Sequence, residues 1–105
     1  MTLTELAQKL KALGYPVTYS HFKSVQTPPF ICYLVVDGDT FTADDTVVSE
    51  STYVDIELYS STKNLTAEGK IKAMLKENEL PWDYDEQFIK DEGVFKCTFS
   101  IQLIN

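Results

Sequence analysis

The last stretch of the chain constrains the fold most. Phe95, Cys97, Phe99, Ile101 and Leu103 alternate with Lys96, Thr98, Ser100 and Gln102. Successive side chains of a β-strand point to opposite faces, so this alternation predicts a strand with one face in the core. Residues 52–59 carry the same signature. Val54, Ile56 and Leu58 fall to one side; Tyr53, Asp55, Glu57 and Tyr59 fall to the other. One-sided strands of this kind need a layer over their apolar face.

Two helices can supply that layer. Leu3, Leu6, Ala7, Leu10 and Leu13 recur at helical spacing, with Lys9 and Lys11 opposite. Thr2 and Glu5 have capping-box spacing, and Gly14 followed by Pro16 ends the helix. A short strand is expected at about Val17 to Tyr19. The second helix is expected over about Leu65 to Asn78, with Ala67, Ile71, Met74 and Leu75 on one stripe. Gly69 weakens it by up to ~1 kcal/mol relative to Ala. Leu80-Pro81 closes it.

Between the helices, Pro28-Pro29 ends a loop and Phe30 to Val36 runs seven apolar residues without a break. Such a run suits a central strand covered at least in part on both faces. Asp37-Gly38 interrupts it. The acidic stretch 37–50, with Asp37, Asp39, Asp44, Asp45 and Glu50, predicts a long hairpin arm with ragged pairing at its base. Residues 82–89 predict another strand, and Lys90 to Gly93 a hairpin turn with Gly93 at a positive φ. The order is α-β-β-β-α-β-β. It predicts one α+β domain over 1–105, a mainly antiparallel sheet with two helices packed on one face. The expected core holds Leu6, Leu10, Phe30, Cys32, Leu34, Val54, Ile56, Leu58, Ile71, Leu75, Phe99 and Ile101.

Leu, Ile, Val and Phe make 30 of 105 residues, enough for a real core. Sixteen acidic residues outweigh nine basic ones, all of them Lys, for a net charge of −7. Without Arg, and with this sign, the chain lacks the cationic surface that neutralises phosphates, so no specific nucleic-acid binding is expected. No stretch approaches the roughly 18 apolar residues of a membrane span. The N-terminus has no basic, apolar leader pattern, so the chain is expected in the cytoplasm of the cell that makes it. Cys32 and Cys97 both sit in apolar strands and are expected as reduced, buried thiols.

Candidate chemistry is sparse. Asp37-Gly38-Asp39-Thr40 has paired aspartates after a buried strand, but not the Asp-x-Asp-x-Thr spacing of a phosphatase nucleophile loop. It also lacks the glycine and terminal glutamate of a calcium loop. An acidic turn explains it better. His21 is the lone histidine and is read as a partly exposed structural residue. Asp83, Asp85, Glu86, Asp91 and Glu92 crowd one hairpin, where a solvated surface is the simpler reading. Catalytic, cofactor-binding and metal-binding residues are all expected to be absent, and the chain is not expected to be an enzyme.

What remains is surface. Tyr53, Asp55, Glu57 and Tyr59 share the non-core face of one strand. With helices on one side only, that face is open, and Ile31 and Tyr33 are expected to join it. An exposed aromatic sheet face suggests a protein interface; a loop folding over it is the competing explanation.

The run Pro29-Phe30-Ile31-Cys32-Tyr33-Leu34, then Asp39-Thr40-Phe41-Thr42-Ala43-Asp44-Asp45, then Tyr53-Val54-Asp55-Ile56-Glu57-Leu58-Tyr59 before a Lys-containing loop and a helix, resembles small neck and tail-completion proteins of long-tailed phages and prophages of Gram-positive bacteria. The aromatic hairpin at 82–103 fits as well. The resemblance covers roughly 14 to 103, and its motifs are strand patterns rather than catalytic signatures.

The resemblance implies a tail terminator, or tail-to-head joining protein. Such proteins form rings, usually hexameric, that cap the tail tube and meet the head connector or head-closure protein. It implies an α+β fold without an active site, made in the host cytoplasm and then built into the virion neck. The implied partners are further copies of the chain, the tail tube protein and the head connector. An acidic surface suits a ring around passing DNA. The alternatives are a head-closure or minor tail protein of related fold, or a monomeric acidic binding module or inhibitor. Interface residues are expected at Asp37, Asp39, Phe41, Asp44, Asp45, Tyr53, Asp55, Glu57 and Tyr59. The 37–50 arm is expected to be mobile alone and to order against a neighbour, burying Phe41.

Overall fold

The computed structural model describes residues 1–43 and 46–104, and side chains outside 37–50. Its elements follow the expected order: α1 (Leu3–Lys11), β1 (Val17–Tyr19), β2 (Phe30–Ala43), β3 (Thr46–Ser60), α2 (Leu65–Glu77), β4 (Asp83–Ile89) and β5 (Val94–Ile104). The strands form one mixed sheet in the order β1-β2-β3-β5-β4. Among the described residues only β1 and β2 pair parallel. The fold is α+β and mostly antiparallel.

Local chemistry explains the helix ends. Thr2 Oγ1 accepts from the Glu5 amide at 3.1 Å, and Glu5 Oε1 accepts from the Thr2 amide at 3.3 Å. This reciprocal cap satisfies two amides with no intrahelical partner. Gly14 leaves α1 at φ 97°. Asn64 Oδ1 caps α2 by accepting from the Ala67 amide at 3.0 Å. Beyond α2, Glu79 takes the left-handed position at φ 55°, and the Leu80 amide bonds back to Leu75 O at 2.9 Å. At the β4–β5 turn Gly93 has the expected positive φ, 65°.

Both helices cover one face of the sheet. Leu6 and Leu10 from α1 and Ala67, Ile71, Met74 and Leu75 from α2 pack on Ile31, Val54, Ile56, Leu58, Phe99 and Ile101. Ten of the twelve expected core residues are buried.

The exceptions share one cause. Phe30 and Leu34 are only partly buried, whereas Ile31 is fully buried. Ile31 pairs with Leu58 and Tyr33 with Ile56, so the odd-numbered residues of β2 face the helices. The expected parity of this strand is therefore reversed: Ile31 and Tyr33 lie under the helices, and Phe30, Cys32 and Leu34 lie on the other face. Seven successive apolar residues hold no parity of their own; pairing with β3 chooses it.

The acidic arm continues the two longest strands. Pairing runs from Phe30↔Tyr59 to Ala43↔Thr46, with register shifts between Val35 and Asp37 and between Phe41 and Thr42. β5 ends opposite Ser51, so among the described residues the hairpin beyond that point is a two-stranded ribbon. Its pairing is not confined to a ragged base. Asp44 and Asp45 lie outside the described residues, as do the side chains of Asp37, Asp39 and Phe41. The expected mobility of the arm and the expected burial of Phe41 fall there too.

Candidate interaction face

Strand register builds the helix-free face row by row. Phe30, Tyr59, Lys96 and Gln87 form one row; Cys32, Glu57, Thr98 and Asp85 the next; Leu34, Asp55, Ser100 and Asp83 the third. Tyr53 and Gln102 follow. The structure thus brings Tyr53, Asp55, Glu57 and Tyr59 together on the face opposite the helices.

The face is partly covered at one corner. Phe30 stacks on Tyr59 with ring centroids 4.9 Å apart, and Phe22, from the loop between β1 and β2, meets Phe30 edge-on at 5.4 Å. A loop therefore does fold over the Phe30 end, while the rows toward Tyr53 stay more open. There a cleft of about 930 Å³ is lined by Tyr53, Asp55, Trp82, Asp83, Ser100 and Gln102, among others.

The polar groups of the face are held in place. The Tyr59 hydroxyl donates to Glu57 Oε1 at 3.1 Å, and Lys96 Nζ lies 3.4 Å from Glu57 Oε2. Ser100 Oγ donates to Asp55 Oδ1 at 2.7 Å, and Gln102 Nε2 donates to Ser51 Oγ at 2.8 Å. Burial, then the Glu57 charge, raises the Tyr59 phenol well above its usual value. The same two causes push the Cys32 thiol up to about 11. The thiolate is the reactive form of cysteine, and a raised thiol that is also 3% exposed is disfavoured as a nucleophile at neutral pH. Cys97 faces the helices across the sheet from Cys32, and both are free thiols.

A second polar cluster, between α2 and β4, was not anticipated from the sequence. Glu68 is 2% exposed. Lys63 Nζ donates to Glu68 Oε1 at 3.1 Å, to the Tyr84 hydroxyl at 2.9 Å and to Glu86 Oε1. The Tyr84 hydroxyl donates to Glu68 Oε1 at 2.7 Å. Glu68 Oε2 has no well-directed hydrogen bond, but the ammonium lies 2.9 Å away, so its compensation is coulombic. Hydrogen bonds from Lys63 hold the Glu86 carboxyl below its usual value, and those same contacts raise Lys63. Burial raises the Tyr84 phenol and the Cys97 thiol. Ligand atoms of Glu68, Glu86 and Cys97 lie within 4.8 Å of one another, a spacing that a metal ion could bridge. The ammonium already sits against both carboxylates, so the cluster is built around an internal cation and ties the loop, α2 and β4 together. The signal for it was Glu68 itself, three residues before Ile71 and seven before Leu75 on the buried stripe.

His21 is exposed, with Nδ1 3.3 Å from Oγ of its neighbour Ser20. Ser20 supplies a hydroxyl beside the imidazole, but no described carboxylate bonds the ring, so the orienting member of a nucleophile–base–acid relay is missing among the described residues. No helix among the described residues is long and apolar enough to cross a membrane.

No protein-family model matches the chain, and no curated protein matches it.

Proposed function

We propose that this chain is a structural protein of a phage tail terminus, which caps the tail tube and joins it to the head connector as a ring of copies. The observation that carries the reading is the helix-free face, where Tyr53, Asp55, Glu57 and Tyr59 line a strand that runs on into the acidic β2–β3 ribbon. An aromatic, hydrogen-bonded face and a protruding ribbon suit contact with other proteins better than turnover of a small molecule. The order of strand motifs that resembles tail-completion proteins, and the α+β architecture expected of them, support the same reading.

A second reading, a monomeric acidic binding module, is favoured by one observation: among the described residues, Asp55, Glu57, Asp83 and Asp85 share the rows of the helix-free face with a single lysine, Lys96. Deleting the gene from its phage or prophage and imaging the lysate separates these readings. A terminator leaves overgrown tails and unjoined heads. A head-closure protein leaves tails of normal length and leaking heads. Normal virions would exclude both structural roles and leave the binding module.

A further inference from the structure

Charge is distributed unevenly over this fold. α1 and α2 hold Lys9, Lys11, Lys70, Lys72 and Lys76, five of the nine lysines, against three of the sixteen acidic residues. Of those three, Glu68 is buried against Lys63. Among the described residues none of the five helix lysines makes a salt bridge. Lys70 lies over the Tyr15 ring at 5.1 Å, and Lys72 over Tyr84 at 5.4 Å. The rest of the molecule has the opposite sign. Residues 37–50 contain five carboxylates and no lysine, and the open sheet face adds Asp55, Glu57, Asp83 and Asp85.

Between the helices lies a groove of about 390 Å³, lined by apolar Ala12, Leu13, Ala73 and Met74 and by the cations Lys9 and Lys70, with Glu77 its one carboxylate. We propose that this groove receives the β2–β3 ribbon of a second copy of the chain. The biological setting of the proposal, a ring on the tail, rests on the tail-terminus reading. The ribbon sequence mixes Asp37, Asp39 and Glu50 with Phe41, Val47 and Val48; the groove mixes lysines with small apolar side chains. The ribbon sequence and the groove lining match in sign and in apolar content. Docking the ribbon on a neighbour's open face would instead set like charges against each other, with Lys96 as the only compensation among the rows of that face.

The geometry of association follows. Ribbon and groove are different patches, so each contact is head-to-tail and leaves a free ribbon and a free groove. Such contacts propagate to a closed ring or an open filament, and a two-fold dimer cannot satisfy both patches through one interface.

Carbodiimide coupling of a mixture of isotopically light and heavy full-length protein, at millimolar concentration and low salt, tests the contact directly. The expected products are mixed-isotope links from Lys9 or Lys70 to Asp37, Asp39 or Glu50, lost at 0.5 M salt as screening shortens the reach of the charges. Lys9→Glu with Lys70→Glu should weaken self-association at least tenfold, as should Asp37→Lys with Asp39→Lys; mixing the two variants should restore it. Thermal melts check that each variant folds, and Lys9→Gln with Lys70→Gln serves if the reversal does not. Absence of mixed-isotope links, links through the open face, or self-association unchanged in both variants would each overturn the proposal. Rings formed through another surface, with tail completion intact, would leave the tail-terminus reading standing without this contact. Ribbon-to-groove links combined with normal tails after gene deletion would do the reverse.

Discussion

Phe30 and Tyr59 stack 17° from coplanar on the face that no helix covers. Their neighbours in sequence, Ile31 and Leu58, pair on the opposite face at 0% and 1% exposure. One residue of register separates an aromatic surface contact from the centre of the core.

That relationship sets the first prediction. Ile31→Ala should destabilise the fold by about 2 to 5 kcal/mol, the range for a large-to-small change in a packed core. Leu34→Ala, on the partly covered face, should cost less than half as much. Urea denaturation of both variants decides it; equal losses would mean the strand faces are mixed.

Gly69 lies in α2 with nothing within 4 Å of where a Cβ would stand. Alanine there adds helix propensity and restricts the unfolded chain without a clash. Gly69→Ala should raise stability by about 1 kcal/mol. The midpoint of denaturant unfolding should rise with an unchanged slope.

Lys63→Met would remove the cation from buried Glu68. The expected loss at pH 7 is about 2 kcal/mol, below the usual range for a buried pair because the lysine side chain is 42% exposed. Lys63 is also the main cause of the lowered Glu86 carboxyl, whose contribution in the wild-type protein is present above the unfolded carboxylate value and lost on acidification through the depressed folded one. Removing the ammonium removes that contribution, so the stability gap between wild type and variant should narrow as pH falls. Paired melts at pH 7, 5 and 3 measure it.

Alkaline pH tests the other face. The Cys32 thiol is raised from 9.0 to about 11 in the fold. Above pH 9 the unfolded chain loses this proton while the folded chain keeps it, so stability falls until about pH 11 and then levels for this group. Each unit in that window costs on the order of 1 kcal/mol. Cys32→Ala should show a shallower decline between pH 9 and 11 in denaturant melts.

The sequence made some of this legible and hid the rest for physical reasons. The facing of β3 was readable over 52–59 because Val54, Ile56 and Leu58 alternate with polar or aromatic neighbours, although the strand itself begins earlier, at Thr46. β2 was not, because Phe30 to Val36 offers apolar side chains to both faces, and the register that orients them is a tertiary fact. Helix ends were readable from Thr2, Glu5 and Gly14, whose capping chemistry is local. The Lys63, Glu68, Tyr84 and Glu86 cluster joins a loop, a helix and an edge strand, and no single window of sequence contains it. Of the expected interface residues, Tyr53, Asp55, Glu57 and Tyr59 were found together because they belong to one alternating strand.

β3 runs without interruption from the ribbon into the sheet, fifteen residues from Thr46 to Ser60. At about 3.3 Å per residue it spans roughly 50 Å, close to the 51 Å long axis of the molecule. Ten of its residues, Ser51 to Ser60, register against β5. A pull on the ribbon along the strand axis would therefore act on this ladder in shear, loading its hydrogen bonds together rather than unzipping them one after another. A tug at the hairpin would be felt at Leu58 and Phe99, beneath both helices, before any single pair gave way.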